Sequence, residues 1–197
     1  MTFHDVTSLD RLLIFKPSID RTCEGRMTFM LRRWSEGHWP GFADMQRDAD
    51  VMADLGGPIV EDASRQKFEW YRDAWEANGV SRWAVVDRLE TFLGYTGVML
   101  RNDPAHPLGS HYEIGWRFRR DAWGRGLATM SARQALDHAW SVLDASEILS
   151  YTAAGNLRSQ NVMRRLGLRR DVTRDFNPKL DRTALIWVAG RPVMDVR

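Results

Sequence analysis

The clearest chemical signal is a pair of glycines at the start of a helix, in "AWGRGLATMSARQALDHAW" over residues 122–140. From Leu127 onward, Ala128, Ala132, Ala135, Leu136, Ala139 and Leu143 recur at spacings of three and four, which predicts an amphipathic helix. Inside a helix, Gly124 and Gly126 would each cost about 1 kcal/mol against alanine. A helix start, however, leaves backbone N–H groups unpaired and carries partial positive charge. Glycines there let a phosphate approach the amides, so strand "EIGWRF", turn "RRDAW" and "GRGLA" read as a pyrophosphate cradle. A tight turn packing helix on sheet uses the same G-x-G, and both readings stand at this point. The dinucleotide-binding fold fits poorly: there is no third glycine in place, and the helix follows a mostly antiparallel run.

The elements that would position this turn follow from periodicity and breakers. "TFMLRRW" (28–34) predicts a first strand, and the segment to Gly56-Gly57 one or two short helices. Residues 62–79 predict a helix with Phe68, Tyr71 and Trp75 on one face and Gly79 as its stop. "SRWAVVD" (81–87) and "TFLGYTGVMLR" (91–101) predict an antiparallel hairpin, and 110–120 a strand after the proline loop 102–109. After the glycine-led helix come strand 147–153 and a short helix 156–167, capped by Asn156 and closed by Gly167. Two last strands, "LRRDVTRD" and "DRTALIWVAG", complete the order. The expected fold is α/β, with a mixed, mostly antiparallel sheet of about seven strands flanked by helices. Residues 1–26 read as an N-terminal extension and 27–197 as the domain.

Composition removes several classes. The chain has 197 residues, 44% hydrophobic and 27% charged, with net charge +2, as expected of one globular domain. The arginines cluster at Arg117, Arg119, Arg120 and Arg125, and again from Arg158 to Arg170, which is compatible with a local anion site, though solvated faces are the commoner source of such runs. A single cysteine, Cys23, allows no internal disulfide and points to a cytoplasmic setting. "LLIF" is too short for a signal-peptide core, and no run of eighteen apolar residues predicts a membrane span. His4, His38, His106, His111 and His138 have no close ligand spacing, so no metal is expected.

"YEIGWRFRRDAWGRGLATMSARQALDHA" resembles the acyl-CoA binding segment of the GNAT superfamily of N-acetyltransferases, in its RimJ/RimL-like branch. "AGNLRSQNVMRRLGLRRD" (154–171) resembles that branch's second signature, N-x-x-S before an apolar helix and L-G. The likeness extends over about 28–189. The superfamily consensus [Q/R]-x-x-G-x-[G/A] falls on Trp123, Gly126 and Ala128; Trp123 departs from it, as an aromatic often does in this branch. The resemblance implies a GNAT fold, acetyl-CoA as co-substrate and an amine acceptor, either a protein N-terminus or a small molecule. It implies cofactor contacts by Trp123, Gly124, Arg125, Gly126, Leu127, Ala128 and Asn156. On this reading the two glycines mark where a CoA pyrophosphate meets bare amides.

Direct attack of an amine on a thioester needs a neutral amine, a stabilised oxyanion and a proton for the thiolate. At pH 7 an α-amino group gives up about 1 kcal/mol to deprotonation and a lysine amine about 4–5 kcal/mol. The resemblance implies Glu113 as proton acceptor and Ser159 as the acid near the sulfur; strand alternation adds His111, on the Glu113 face at i, i+2, and Tyr151 is a further candidate acid. The plainer readings are a strand glutamate paired with a surface arginine, a helix-cap serine, a rim histidine and a core tyrosine. Cys23 lies outside the matched region, and no neighbour in sequence would activate it. The resemblance places Trp34, Trp39, Trp70 and Trp75 where acceptor-side walls form, which would suit a peptide N-terminus or hydrophobic amine better than a polycation; core packing is the plainer reading for most of them. Two rival classes are a CoA-binding module without turnover and a nucleic-acid binder using the arginine clusters, whose binding would be salt-sensitive. Neither nucleic acid nor membrane is expected as a partner. A homodimer, with residues 1–26 packed on the second copy, is compatible with the sequence.

Overall fold

The structure is a computed structural model that describes residues 29–179 and 182–192. The expectations for residues 1–26, Cys23 and His4 lie outside them. Seven strands form one open sheet: β1 (Met30–Arg32), β2 (Arg82–Val86), β3 (Phe92–Arg101), β4 (His111–Phe118), β5 (Glu147–Ala153), β6 (Arg169–Lys179) and β7 (Arg182–Gly190). Their spatial order is β1-β2-β3-β4-β5-β7-β6. The helices are α1 (Trp39–Arg47), α2 (Ala49–Met52), α3 (Glu61–Asn78), α4 (Leu127–Val142) and α5 (Leu157–Leu166). The first strand is shorter than its apolar run, and β6 runs on through Pro178 beyond the expected segment.

Every neighbouring pair is antiparallel except β4 and β5. Alternation along β4 sends Ile114 into one core with Ala132, Ala135, Leu136 and Ala139 of α4, Ile148 of β5, and Met163 and Leu166 of α5. The opposite face packs on α1 and α3 through an aromatic core of Trp34, Phe42, Phe68, Tyr71, Trp75 and Tyr95. Phe68, Tyr71 and Trp75 are all buried, as their spacing predicts, and Trp34 joins them. Trp70 is exposed.

The parallel pair organises everything else. β4 and β5 meet in register at Glu113 and Leu149, whereas β4 pairs with β3 along its whole length, from His111 to Phe118. Beyond Glu113, β4 and β5 therefore part. A gap beyond the carboxyl ends of parallel strands is where α/β sheets place ligands.

Candidate active site

The gap opens into a cleft of about 990 Å³. One wall is β4, with Trp116, Arg117 and Phe118, continuing into Trp123, Gly124, Gly126, Leu127, Ala128 and Thr129 at the start of α4. The other runs from Ala153 through Asn156, Arg158 and Ser159 into α5. Asp50, Val51, Ala53 and Asp54, from α2 and the turn after it, border the cleft too.

Gly124 and Gly126 both have φ of +74°, which disfavours any residue with a side chain. A Cβ at Gly124 would have nothing within 4 Å, and one at Gly126 would meet only Met130 Cε at 3.8 Å. Close packing of helix on sheet therefore does not require these glycines. Conformation does, and the space beside them is the cleft. No side chain caps α4, so its first-turn N–H groups are left for another partner. The Thr129 hydroxyl in that turn is buried without a hydrogen-bond partner among the described residues. Such an orphaned polar atom, beside uncapped amides in a cleft of this size, fits a phosphate-bearing ligand. Opposite, the Arg158 guanidinium lies 4.2 Å from the Trp123 ring centroid, and the Trp123 indole N–H donates to the Phe118 carbonyl at 2.9 Å.

At the far end the groups are charged. Asp54 accepts from Arg117 Nη1 at 3.0 Å through Oδ1 and from Asn156 Nδ2 at 2.6 Å through Oδ2. Arg117 also donates to the Val51 carbonyl. Asn156 Oδ1 caps α5, accepting from the Ser159 N–H at 3.0 Å.

Glu113 stands where β4 and β5 meet. Its Oε1 accepts from Arg82 Nη2 at 3.0 Å, and its Oε2 accepts from Arg101 Nε and, at 3.3 Å, from the Tyr151 hydroxyl. Arg82 is buried, and Gly115 makes room for it: a Cβ there would lie 2.9 Å from Arg82 Nη2. Burial alone would raise the Glu113 pKa, but Arg82 and Arg101 outweigh it and hold the carboxyl below its ordinary range. Burial and the Glu113 charge push the Tyr151 phenol up. Burial likewise opposes ionisation of Tyr95, yet Lys67 and Arg117 lower its pKa to about 8, a sign of the positive field on this face.

Residues 28–169 match the acetyltransferase (GNAT) domain. The chain belongs to the GNAT acetyltransferase family. The uncharacterised protein YkkB of Bacillus subtilis (strain 168) is 28% identical over 128 residues, which cover 64% of this chain and 73% of that one. Spermidine N-acetyltransferase from Vibrio cholerae, solved with CoA and spermine, superposes with TM-score 0.65 at 15% identity, covering 83% of this chain and 95% of that one. RimL, a ribosomal-protein alpha-N-acetyltransferase solved with coenzyme A, gives TM-score 0.67 at 13% identity, over 83% and 94%. At these identities the solved structures establish a shared GNAT fold.

Of the residues singled out in the sequence of this GNAT chain, Trp123, Gly124, Gly126, Leu127, Ala128, Asn156 and Ser159 line the cleft. Glu113 and Arg125 do not. The Arg125 guanidinium donates to the Asp121 carbonyl, and Arg120 pairs with Asp50 at the mouth. Glu113 is paired with arginines as the plainer reading held, but Arg82 is buried rather than on the surface. Tyr151 is half-buried and tied to Glu113, not enclosed in the core. His111 shares the Glu113 face and turns its Nδ1 to the Gly109 carbonyl at 2.7 Å. The sequence alone gives Asp54, Arg82 and Thr129 no site role, and places Arg117 and Arg158 only within its arginine clusters. Asp54 and Asn156 are 102 positions apart, so no local pattern links them. Among the described residues no cluster of three or more His, Cys, Asp or Glu could hold a metal ion, and no helix is long and apolar enough to cross a membrane.

Proposed function

We propose that the protein is an acetyl-CoA-dependent N-acetyltransferase of the RimJ/RimL-like branch, acting on a single low-pKa amine such as a peptide N-terminus. The observation that carries this reading is the continuity of one cleft, from the uncapped start of α4 to the gap between β4 and β5. Acetyl-CoA bound there would set its pyrophosphate on the amides of Gly124–Ala128 and its thioester near the gap. Asn156 would hold the pantetheine arm, and Trp123 and Leu127 would flank it.

The amine then attacks the thioester carbon; the C–S bond breaks, and the Ser159 hydroxyl supplies a proton to the departing thiolate. The amine's own proton passes to Glu113 by way of the Tyr151 hydroxyl, 3.3 Å from Oε2; solvent water then takes that proton from Glu113 and reprotonates the Ser159 oxygen. Because Arg82 and Arg101 keep Glu113 a weak base, the acceptor has to be an amine that is already partly neutral. An α-amino group meets that demand at about 1 kcal/mol, and a lysine or polyamine amine does not. Charge supports the same class: Lys67, Arg82 and Arg117 favour the ionised form of Tyr95, and a positive field of that kind disfavours a polycation.

The test is transfer from acetyl-CoA to two probes, an unblocked peptide and spermidine, read by mass spectrometry. The peptide should be acetylated at its N-terminus in preference to spermidine. Glu113→Gln and Tyr151→Phe should each lower kcat by about tenfold or more, with acetyl-CoA affinity within about twofold of the parent. CoA binding without transfer to either probe would reduce the protein to a binding module, and unchanged turnover in both variants would remove Glu113 and Tyr151 from the chemistry.

A further inference from the structure

Asp54 is a carboxylate joined to both walls of the cleft. Through Oδ1 it holds Arg117 of β4, and through Oδ2 it holds the amide of Asn156 at the head of α5. It comes from the turn after α2, which borders the cleft as well. Asn156 cannot rotate freely, because its Oδ1 is committed to the Ser159 N–H as the cap of α5. Its Nδ2 is thus the end that can change partners. Asp54, Arg117 and Asn156 line the same cleft as the α4 amides, so a ligand arm lying in that cleft has the bridge within its lining.

We propose that Asp54 is a positioning residue whose bond to Asn156 opens when the acyl donor binds, the Nδ2 passing from the carboxylate to the donor's pantetheine amide. The inference rests on the acetyl-CoA reading above. It makes donor binding pay for the loss of a charge-assisted hydrogen bond, so Asp54 weakens donor affinity. Arg117 keeps its hold on the carboxylate through Oδ1 once the donor is in place.

The test is a double-mutant cycle read by calorimetric titration with coenzyme A, using the parent, Asp54→Ala, Asn156→Ala and the double variant. Asp54→Ala should tighten binding by about tenfold or more, the worth of one hydrogen bond to a charged group. In the Asn156→Ala background the same change should bring no gain. Asp54→Asn, which sets an N–H against Asn156 Nδ2 while keeping an oxygen for Arg117, should repeat the gain if the alanine variant folds poorly. An equal gain in both backgrounds would mean that only charge was removed, and would overturn the exchange. Unchanged or weaker binding in Asp54→Ala would overturn it too, as when the ligand uses the second N–H of Asn156 and leaves the bridge intact. If the parent itself binds no coenzyme A, the acetyl-CoA reading falls and this inference falls with it.

Discussion

Gly126→Trp should lower the affinity for acetyl-CoA by about a hundredfold or more while the domain still folds. A phosphate on the α4 amides stands to lose several charge-assisted hydrogen bonds at once when an indole fills the space beside them. A Cβ at Gly126 would have Met130 Cε at 3.8 Å as its nearest neighbour, and Gly126 lines the cleft, so the cleft is the open space an indole there can fill. Its structural cost is the left-handed backbone, about 1–2 kcal/mol for a residue other than glycine, a fall of a few degrees in Tm. Gly79→Ala supplies the control. Gly79 also has a left-handed φ of +68°, and a Cβ there meets nothing within 4 Å. It should lose similar stability and bind acetyl-CoA normally. Titration calorimetry and thermal melts on both variants separate the two effects, and unchanged affinity in Gly126→Trp would refute the cradle.

Arg82→Met should destabilise the fold by about 3–5 kcal/mol, the cost of leaving a buried carboxylate without its main partner. That is a large share of the roughly 5–15 kcal/mol that holds a domain together. Besides Oε1 of Glu113, the lost guanidinium serves the Glu113 and Gly97 carbonyls. The pH dependence has a definite sign. The folded pKa of Glu113 is depressed, so the stability it contributes is fully present above its unfolded value of about 4.3. It is lost as the pH falls through the folded value. In Arg82→Met the folded value moves up, and acid destabilisation begins at higher pH. Replacing both partners, as Arg82→Met with Glu113→Leu, should recover much of the stability and none of the turnover. Urea unfolding at neutral pH and near pH 4 measures both statements; a single Arg82→Met as stable as the parent would show that the ion pair carries no weight in the fold.

Much of this protein is legible one segment at a time. The apolar stripe of α4, the Phe68–Tyr71–Trp75 face of α3 and the Asn156 and Gly167 ends of α5 depend on neighbours a few residues away. Their positions in the structure follow the spacing in the sequence. The same holds for the glycine pair, whose left-handed backbone is a local property. Groups that act across the sheet are a different matter. Arg82 sits in "SRWAVVD", which reads simply as a strand, and becomes the partner of Glu113 only because β2, β3 and β4 lie side by side. Asp54 reaches Arg117 and Asn156 only after the chain has closed over the cleft. Periodicity assigns a residue to a face, but which distant residue shares that face is decided by strand order.

The most direct test of the whole account is a calorimetric titration of the unmodified protein with acetyl-CoA. Binding in the micromolar range is the predicted result, and it would place the cofactor in the cleft that Gly126→Trp blocks. No binding at millimolar acetyl-CoA would contradict the account: the cleft would then belong to a GNAT fold that has lost its co-substrate.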